Sequence, residues 1–306
     1  MSASRIVVVG SANTDLVVQA DRLPRPGETV LGGNLITSQG GKGANQAVAA
    51  ARLGAEVTFV ARIGGDGFGA ETREALMAEG LDLQYLAEDP DTPSGVAMIV
   101  IGPDGQNLIA VAPGANRHLS EGDVMAARDA FAGAKVVLIE LETPVEAALA
   151  AARLGREVGA TVVLNPAPAP VEALPNALYE AVDFLTPNEI EASVLSGESS
   201  PERAARTLLK RGPRTVIVTL GEGGALVADR SGSVQIPGFR VEALDTTAAG
   251  DAFNGGLAVA LGRGDTLENA VRYAHAIAAL TVTRLGAQPS LPTLAEAERF
   301  LRDRRG

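Results

Sequence analysis

A twelve-residue run, Asp245-Thr246-Thr247-Ala248-Ala249-Gly250-Asp251-Ala252-Phe253-Asn254-Gly255-Gly256, places a carboxylate at the start of a helix of small residues. Ala248, Ala249 and Gly250 have almost no side chain, so backbone N–H groups there can approach an anion closely, and the helix dipole adds partial positive charge. Asp251 would repel a phosphate at that point, yet it can accept a proton from an attacking hydroxyl. That is the part of a base in phosphoryl transfer, where positioning and charge stabilisation carry most of the catalysis. The bland alternative is a first-turn acid favoured by the dipole, with Asp245 an ordinary loop carboxylate.

Gly40-Gly41-Lys42-Gly43-Ala44-Asn45 opens a second helical stretch. It is not a P-loop, which needs Gly where Ile36 stands and Ser or Thr where Gly43 stands. No G-x-G-x-x-G follows any predicted strand, which removes the dinucleotide dehydrogenases. The glycines permit close backbone approach to a polar ligand, with Lys42 and Asn45 as side-chain donors; a plain tight turn fits equally well. Asn13 and Asp15 follow the first predicted strand, and Glu142 follows the one at 136–139. Ligands of open parallel sheets gather beyond the carboxyl ends of the strands. Acceptors and amides converging there suit a polyhydroxylated ligand, although each acid alone reads as a solvated loop residue.

The elements that must position these groups alternate. Val/Ile-rich runs at 6–9, 57–63, 136–139, 161–164 and 216–220 read as buried strands. Between them 44–53, 145–158 and 201–211 read as helices, with Pro144 and Pro201 near their starts. The pattern predicts an α/β fold, a three-layer sandwich with a central, mostly parallel sheet, as one domain over 1–306. Residues 239–243 are strand-like ahead of Asp245, and the chain from Ala252 onward reads as nearly all helical. Segments 12–38 and 92–112 alternate like strands with no helix after them, and Gly102-Pro103-Asp104-Gly105 separates two apolar runs. They predict a small β element standing off the main sheet, either a lid or a decoration.

Composition bounds the function. With 46% hydrophobic and 21% charged residues the chain reads as soluble and globular. A net charge of −11, 3% aromatic residues and no Trp argue against nucleic acid or an anionic membrane as partner. No Cys and only two His, His118 and His275, exclude thiol nucleophiles, disulfides and a multi-His zinc centre. The apolar run at 6–9 is too short for a signal or a membrane span, so a cytoplasmic location is the default expectation.

These segments, in this order, resemble the ribokinase family, also called the PfkB carbohydrate kinases. Residues 40–54 are similar to its first signature and 245–256 to its second. Further matches lie at Gly10-Ser11-Ala12-Asn13-Thr14-Asp15, Pro26-Gly27-Glu28-Thr29, Leu141-Glu142-Thr143-Pro144, Asn165-Pro166-Ala167-Pro168-Ala169, Thr186-Pro187-Asn188-Glu189 and Gly286-Ala287-Gln288-Pro289-Ser290. The likeness therefore spans residues 6 to 290. It implies a ribokinase-like fold and ATP-dependent phosphorylation of D-ribose at its 5-hydroxyl.

The resemblance also implies roles. Asp251 matches the base, with Ala248, Ala249 and Gly250 the anion hole. Asn13, Thr14, Asp15, Gly41, Lys42, Gly43, Asn45 and Glu142 match positions around the sugar. Asn188 and Glu191 form an N-x-x-E motif for phosphate and hydrated Mg²⁺; Thr219, Gly221 and Gly224 match the nucleotide loop, and His275 a neighbour of the adenine. An activating K⁺ is implied at Asp245, Thr247, Thr281, Arg284, Gly286 and Ser290, several through backbone carbonyls, which suit a large cation. The β segments correspond to a lid that excludes water from the sugar and pairs with a second subunit's lid in a homodimer. Without the resemblance, His275 reads as a packed or surface residue; His118 has no assigned role.

Two other readings stand beside this one. A related kinase for a nucleoside, deoxyribose or fructose shares every motif, but Asn13, Asp15 and Glu142 favour a small free sugar over a ligand carrying a base. A non-catalytic sugar-binding regulator has no need of Asp251 at a small-residue helix start.

Overall fold

The valine and isoleucine runs form strands buried on both faces in a computed structural model, which describes residues 3–103, 106–170 and 172–304. The large sheet has nine strands, in the order β13 (Gly232–Ile236), β12 (Ala225–Asp229), β11 (Thr215–Thr219), β10 (Phe184–Leu185), β9 (Thr161–Leu164), β8 (Val136–Ile139), β1 (Arg5–Val9), β4 (Glu56–Gly64) and β5 (Leu86–Asp89). Neighbours from β11 through to β5 run parallel; β12 pairs antiparallel with both β11 and β13. Side chains alternate between two cores. Ile6 and Val8 of β1 pack with the helices Lys42–Arg52, Ala249–Gly262 and Leu267–Thr281, while Val7 and Val9 pack toward Val145–Glu157 and Pro201–Leu209. The three layers follow from that alternation.

Four strands form a second sheet in the order β3 (Gly32–Gly40), β2 (Asn13–Ala20), β6 (Gly95–Ile101) and β7 (Asn107–Ala112). Here β2 is antiparallel to β3 and parallel to β6, and β7 returns antiparallel to β6. Asp104 and Gly105 of the predicted turn lie outside the described residues. The strand-like segment 239–243 is not a strand: the chain leaves edge strand β13 through Pro237, which has no N–H for a ladder. It is caught instead by Val282 O, which accepts from the N–H groups of Leu244 and Asp245. Among the described residues no helix is long and apolar enough to cross a membrane.

The helix Ala249–Gly262 lies between two others and touches both through glycine. A Cβ at Gly255 would stand 2.6 Å from Ala49 Cβ and 2.9 Å from Gln46 O; one at Gly256 would stand 2.9 Å from Ile277 Cγ1. That close approach brings the start of Ala249–Gly262 against Asn45 and Gln46.

Candidate active site

Asp251 is almost fully buried and lines a cleft of about 180 Å³ shared with Lys42, Asn188, Glu191, Thr219, Ala248 and Gly250. Asn45 Nδ2 donates to its Oδ2 at 3.0 Å and Gln46 Nε2 to its Oδ1 at 3.1 Å. Burial pushes the Asp251 carboxyl up, against the Lys42 ammonium and the two amide donors. The Lys42 ammonium is disfavoured by its own burial, but the carboxylates of Asp251, Glu142, Glu140 and Glu191 outweigh that and raise its pKa.

The helix start beside Asp251 is open to an anion. Ala248 sits in the left-handed region at φ 59°, a conformation that strains a residue with a Cβ and turns the chain sharply into the helix. The first intrahelical bond is Ala252 N to Ala248 O, so the N–H groups of Gly250 and Asp251 precede it; among the described residues neither has a protein acceptor. The amide of Ala249 differs from expectation, because it donates back to Thr246 O at 3.2 Å to close the turn. A chain of buried amides holds this corner. Gln46 Nε2 also reaches Asn165 Oδ1, Asn165 Nδ2 donates to Thr186 O, the Thr186 hydroxyl donates to Asn254 Oδ1 at 2.6 Å, and Asn254 Nδ2 returns to Gly250 O.

The residues that the sequence assigns to a sugar meet at the ends of β1 and β8. Glu142 Oε2 accepts from Ser11 Oγ at 2.6 Å, from Lys42 N at 3.1 Å and from Asn13 Nδ2 at 3.4 Å. Asn116 orients Asn13 by donating to its Oδ1 at 2.7 Å. Gly41 (φ 88°) and Gly43 are required: a Cβ at either would strike the backbone of residues 10–13. Asp15 is buried beside them, and burial, then the charges of Glu142 and Asp251, push its pKa up to about 7. The side-chain oxygens Thr14 Oγ1, Asn45 Oδ1 and Gln46 Oε1 are buried and have no hydrogen-bond partner among the described residues.

The remaining predicted residues divide. Asn188 and Glu191 form a capping box on the helix Glu189–Ser196, exchanging two 2.8 Å bonds. The cap uses one oxygen of the buried Glu191 carboxylate, whose pKa burial raises. Thr219 ends β11 at the cleft, while Gly221 (φ 56°) and Gly224 (φ 90°) shape the turn just beyond its lining. His275 is buried edge-on to Phe253, with no partner for Nε2 among the described residues and its pKa pushed down to about 4 by burial; it stands outside the cleft lining.

Asp245 ties together two loops, accepting Thr247 N at 2.9 Å and Gly286 N at 2.8 Å, and these donors outweigh burial and hold its pKa low. Thr281 and Ser290 spend their hydroxyls on the carbonyls of Ile277 and Ala287, and Arg284 pairs with Glu296 at 2.6 Å. Arg284, a cation itself, can offer another cation only its main-chain oxygen, the donor type a monovalent cation takes.

Sequence reasoning gave no role to Gln46, Asn116, Asn254 and Glu140. Glu140 carried a signal, an acid ending the apolar run of β8; the amides carried none, because their importance lies in partners far along the chain.

Comparison with known proteins covers nearly the whole chain. The family model described as pfkB family carbohydrate kinase matches residues 3–294. A curated ribokinase of Haemophilus influenzae is 42% identical over 97% of this chain and 98% of its own. A deoxyribokinase of Salmonella typhi is 36% identical over 97% and 98%. The solved structure of an Arabidopsis thaliana ribokinase complexed with ribose and ATP superposes with a TM-score of 0.89 at 34% identity, covering 98% of this chain and 99% of that one.

Proposed function

The chain belongs to the pfkB family of carbohydrate kinases and is an ATP-dependent sugar kinase, and from that premise we propose how it phosphorylates D-ribose at the 5-hydroxyl. The observation that carries the reading is Asp251 at a small-residue helix start, bonded to Asn45 and Gln46 and sharing one cleft with Lys42 and Thr219. Asn13, Asp15, Lys42 and Glu142 bind the sugar hydroxyls, helped by Thr14, Asn45 and the glycine edges at Gly41 and Gly43. Asp251 takes the proton of the attacking hydroxyl as its oxygen bonds to the γ-phosphorus and the bond to the ADP oxygen breaks. Charge developing on the phosphoryl oxygens meets the N–H groups of Gly250 and Asp251 and the helix dipole. Ala248 shapes that turn, and Ala249, its own amide committed, contributes the absence of a side chain.

The nucleotide lies along Thr219, Gly221 and Gly224, with His275, kept neutral by burial, on the adenine side. Asn188 and Glu191 face the phosphates, and the Glu191 oxygen free of the cap suits a hydrated Mg²⁺, which neutralises phosphate charge. Asp245, Thr247, Thr281, Arg284, Gly286 and Ser290 present one carboxylate and several carbonyls, a set fit for K⁺ beside the helix start. The four-stranded sheet, from 12–38 and 92–112, acts as a lid on a single domain, and its exposed Leu35, Met98 and Ile109 favour pairing with a second copy in the cytoplasm.

The deoxyribokinase relative keeps 2-deoxy-D-ribose in play. The test is ATP-coupled turnover on D-ribose, 2-deoxy-D-ribose, D-fructose and inosine, in KCl and in tetramethylammonium chloride. Ribose is expected to give the highest kcat/KM, and KCl the faster rate. Higher kcat/KM on another acceptor would displace ribose; equal rates in both salts would remove the K⁺ site.

A further inference from the structure

Glu140 is fully buried just after β8, and no step above uses it. Its Oε1 accepts from Ser11 N at 2.5 Å and its Oε2 from Glu142 N at 2.6 Å, so both carboxyl oxygens are committed to main-chain donors. The two residues it grips are the ones that organise the sugar side. Ser11 Oγ donates to Glu142 Oε2 at 2.6 Å and accepts from Gly43 N at 3.3 Å, and Glu142 Oε2 in turn receives Lys42 N and Asn13 Nδ2. Three separate segments, the ends of β1 and β8 and the start of Lys42–Arg52, are thus tied through one buried carboxyl. The fit leaves no slack: a Cβ at Gly10 would run into Glu140 Oε1 and stand 2.9 Å from Gly43 Cα. Burial and the neighbouring Glu142 push the Glu140 carboxyl up, so keeping an acid there opposes stability rather than serving it.

We propose that Glu140 is a positioning residue for the acceptor: its carboxyl fixes the main chain at Ser11 and Glu142 so that Glu142 and Asn13 present their side chains to the sugar hydroxyls. The proposal rests on reading Asn13 and Glu142 as sugar contacts. It separates Glu140 from the phosphoryl-transfer corner, which is held by the other network through Gln46, Asn165, Thr186 and Asn254. Disturbing Glu140 therefore acts on acceptor binding and spares nucleotide binding.

The test is steady-state kinetics of Glu140→Gln and Glu140→Met with sugar and ATP varied separately. Gln keeps one acceptor oxygen and sets an NH₂ against the other backbone N–H, so KM for D-ribose is expected to rise about tenfold or more. KM for ATP stays within about twofold, the signature of lost acceptor binding alone. Met loses both acceptors and raises the ribose KM further. Gly10→Ala crowds the same carboxyl from the opposite side and is expected to give the same selective rise, which keeps the test decisive if the Met variant does not fold. Equal shifts in both KM values, or lower kcat in step with the folded fraction and both KM values unmoved, would overturn the proposal. Wild-type turnover on the panel is measured first. If another sugar is preferred, the substrate reading falls and the KM split is read on that sugar.

Discussion

Strand β8, Val-Val-Leu-Ile, has every residue buried; strand β7, Asn-Leu-Ile-Ala-Val-Ala, has every residue exposed. The two are similar in chemistry and opposite in surroundings. Helices from this chain cover both faces of β8, whereas Leu35 and Met98 on one face of the small sheet and Ile109 on the other stand exposed. Apolar sequence states a demand for burial and leaves the supplier unnamed. Strand β2 crosses between the regimes: Asn13, Thr14 and Asp15 are buried, and exposure grows toward Ala20. The acceptor site proposed above lies at that crossing, between the large sheet and the small one.

One substitution placed in both regions tests the contrast most severely. Ile139→Asp strands a charge in the core and is expected to cost more than about 4 kcal/mol, leaving little folded protein by circular dichroism. Ile109→Asp is expected to fold with nearly unchanged Tm while the mass by light scattering drops from dimer to monomer. A wild-type monomer, or an Ile109→Asp dimer, would break the idea that a second copy covers the small sheet.

Next in size is Asp251→Asn, on the side of the large sheet. Losing a general base is expected to lower kcat by about 10²–10⁴-fold while nucleotide still binds by calorimetry. Unchanged turnover would remove Asp251 as the base.

The smallest effect belongs to Asp15 at the crossing. Its folded pKa, about 7, lies above the ordinary 3.8, so its contribution to stability is complete below pH 3.8 and is lost as pH rises toward 7. Sugar hydroxyls favour the ionised form, so acceptor binding is expected to release a proton near neutrality. Affinity should then weaken by up to about tenfold from pH 8 to pH 6. Calorimetry in buffers of different ionisation heat reads the proton; no release at pH 7 would place the Asp15 pKa elsewhere.

The central sheet was legible because parallel strands buried on both faces read as unbroken Val/Ile runs: 136–139 and 161–164 coincide with β8 and β9. Segment 239–243 instead alternates apolar and charged residues and forms no strand, since pairing depends on where the chain is led and not on composition alone. Within the site, Asp251, Lys42 and Asn45 were legible through their glycine-rich and alanine-rich settings. Gln46 and Asn254 were not, because a buried amide acquires meaning only from a partner such as Asp251, 205 positions away from Gln46. The N-x-x-E pair was legible only through the family resemblance, and its helix-capping use became visible in the structure.

The contact at Gly255 carries a consequence for how such a catalyst can fail. Asp251, the proposed base, and the amides of Asn45 and Gln46 that hold it belong to different helices, which meet where one of them lacks even a methyl group. Residue 255, which never touches a reactant, therefore sets the gauge between the two halves of the machinery. One added carbon there would delete no reactive group and still throw the attack out of line, and a shift of about 1 Å is enough to cost about a hundredfold in rate.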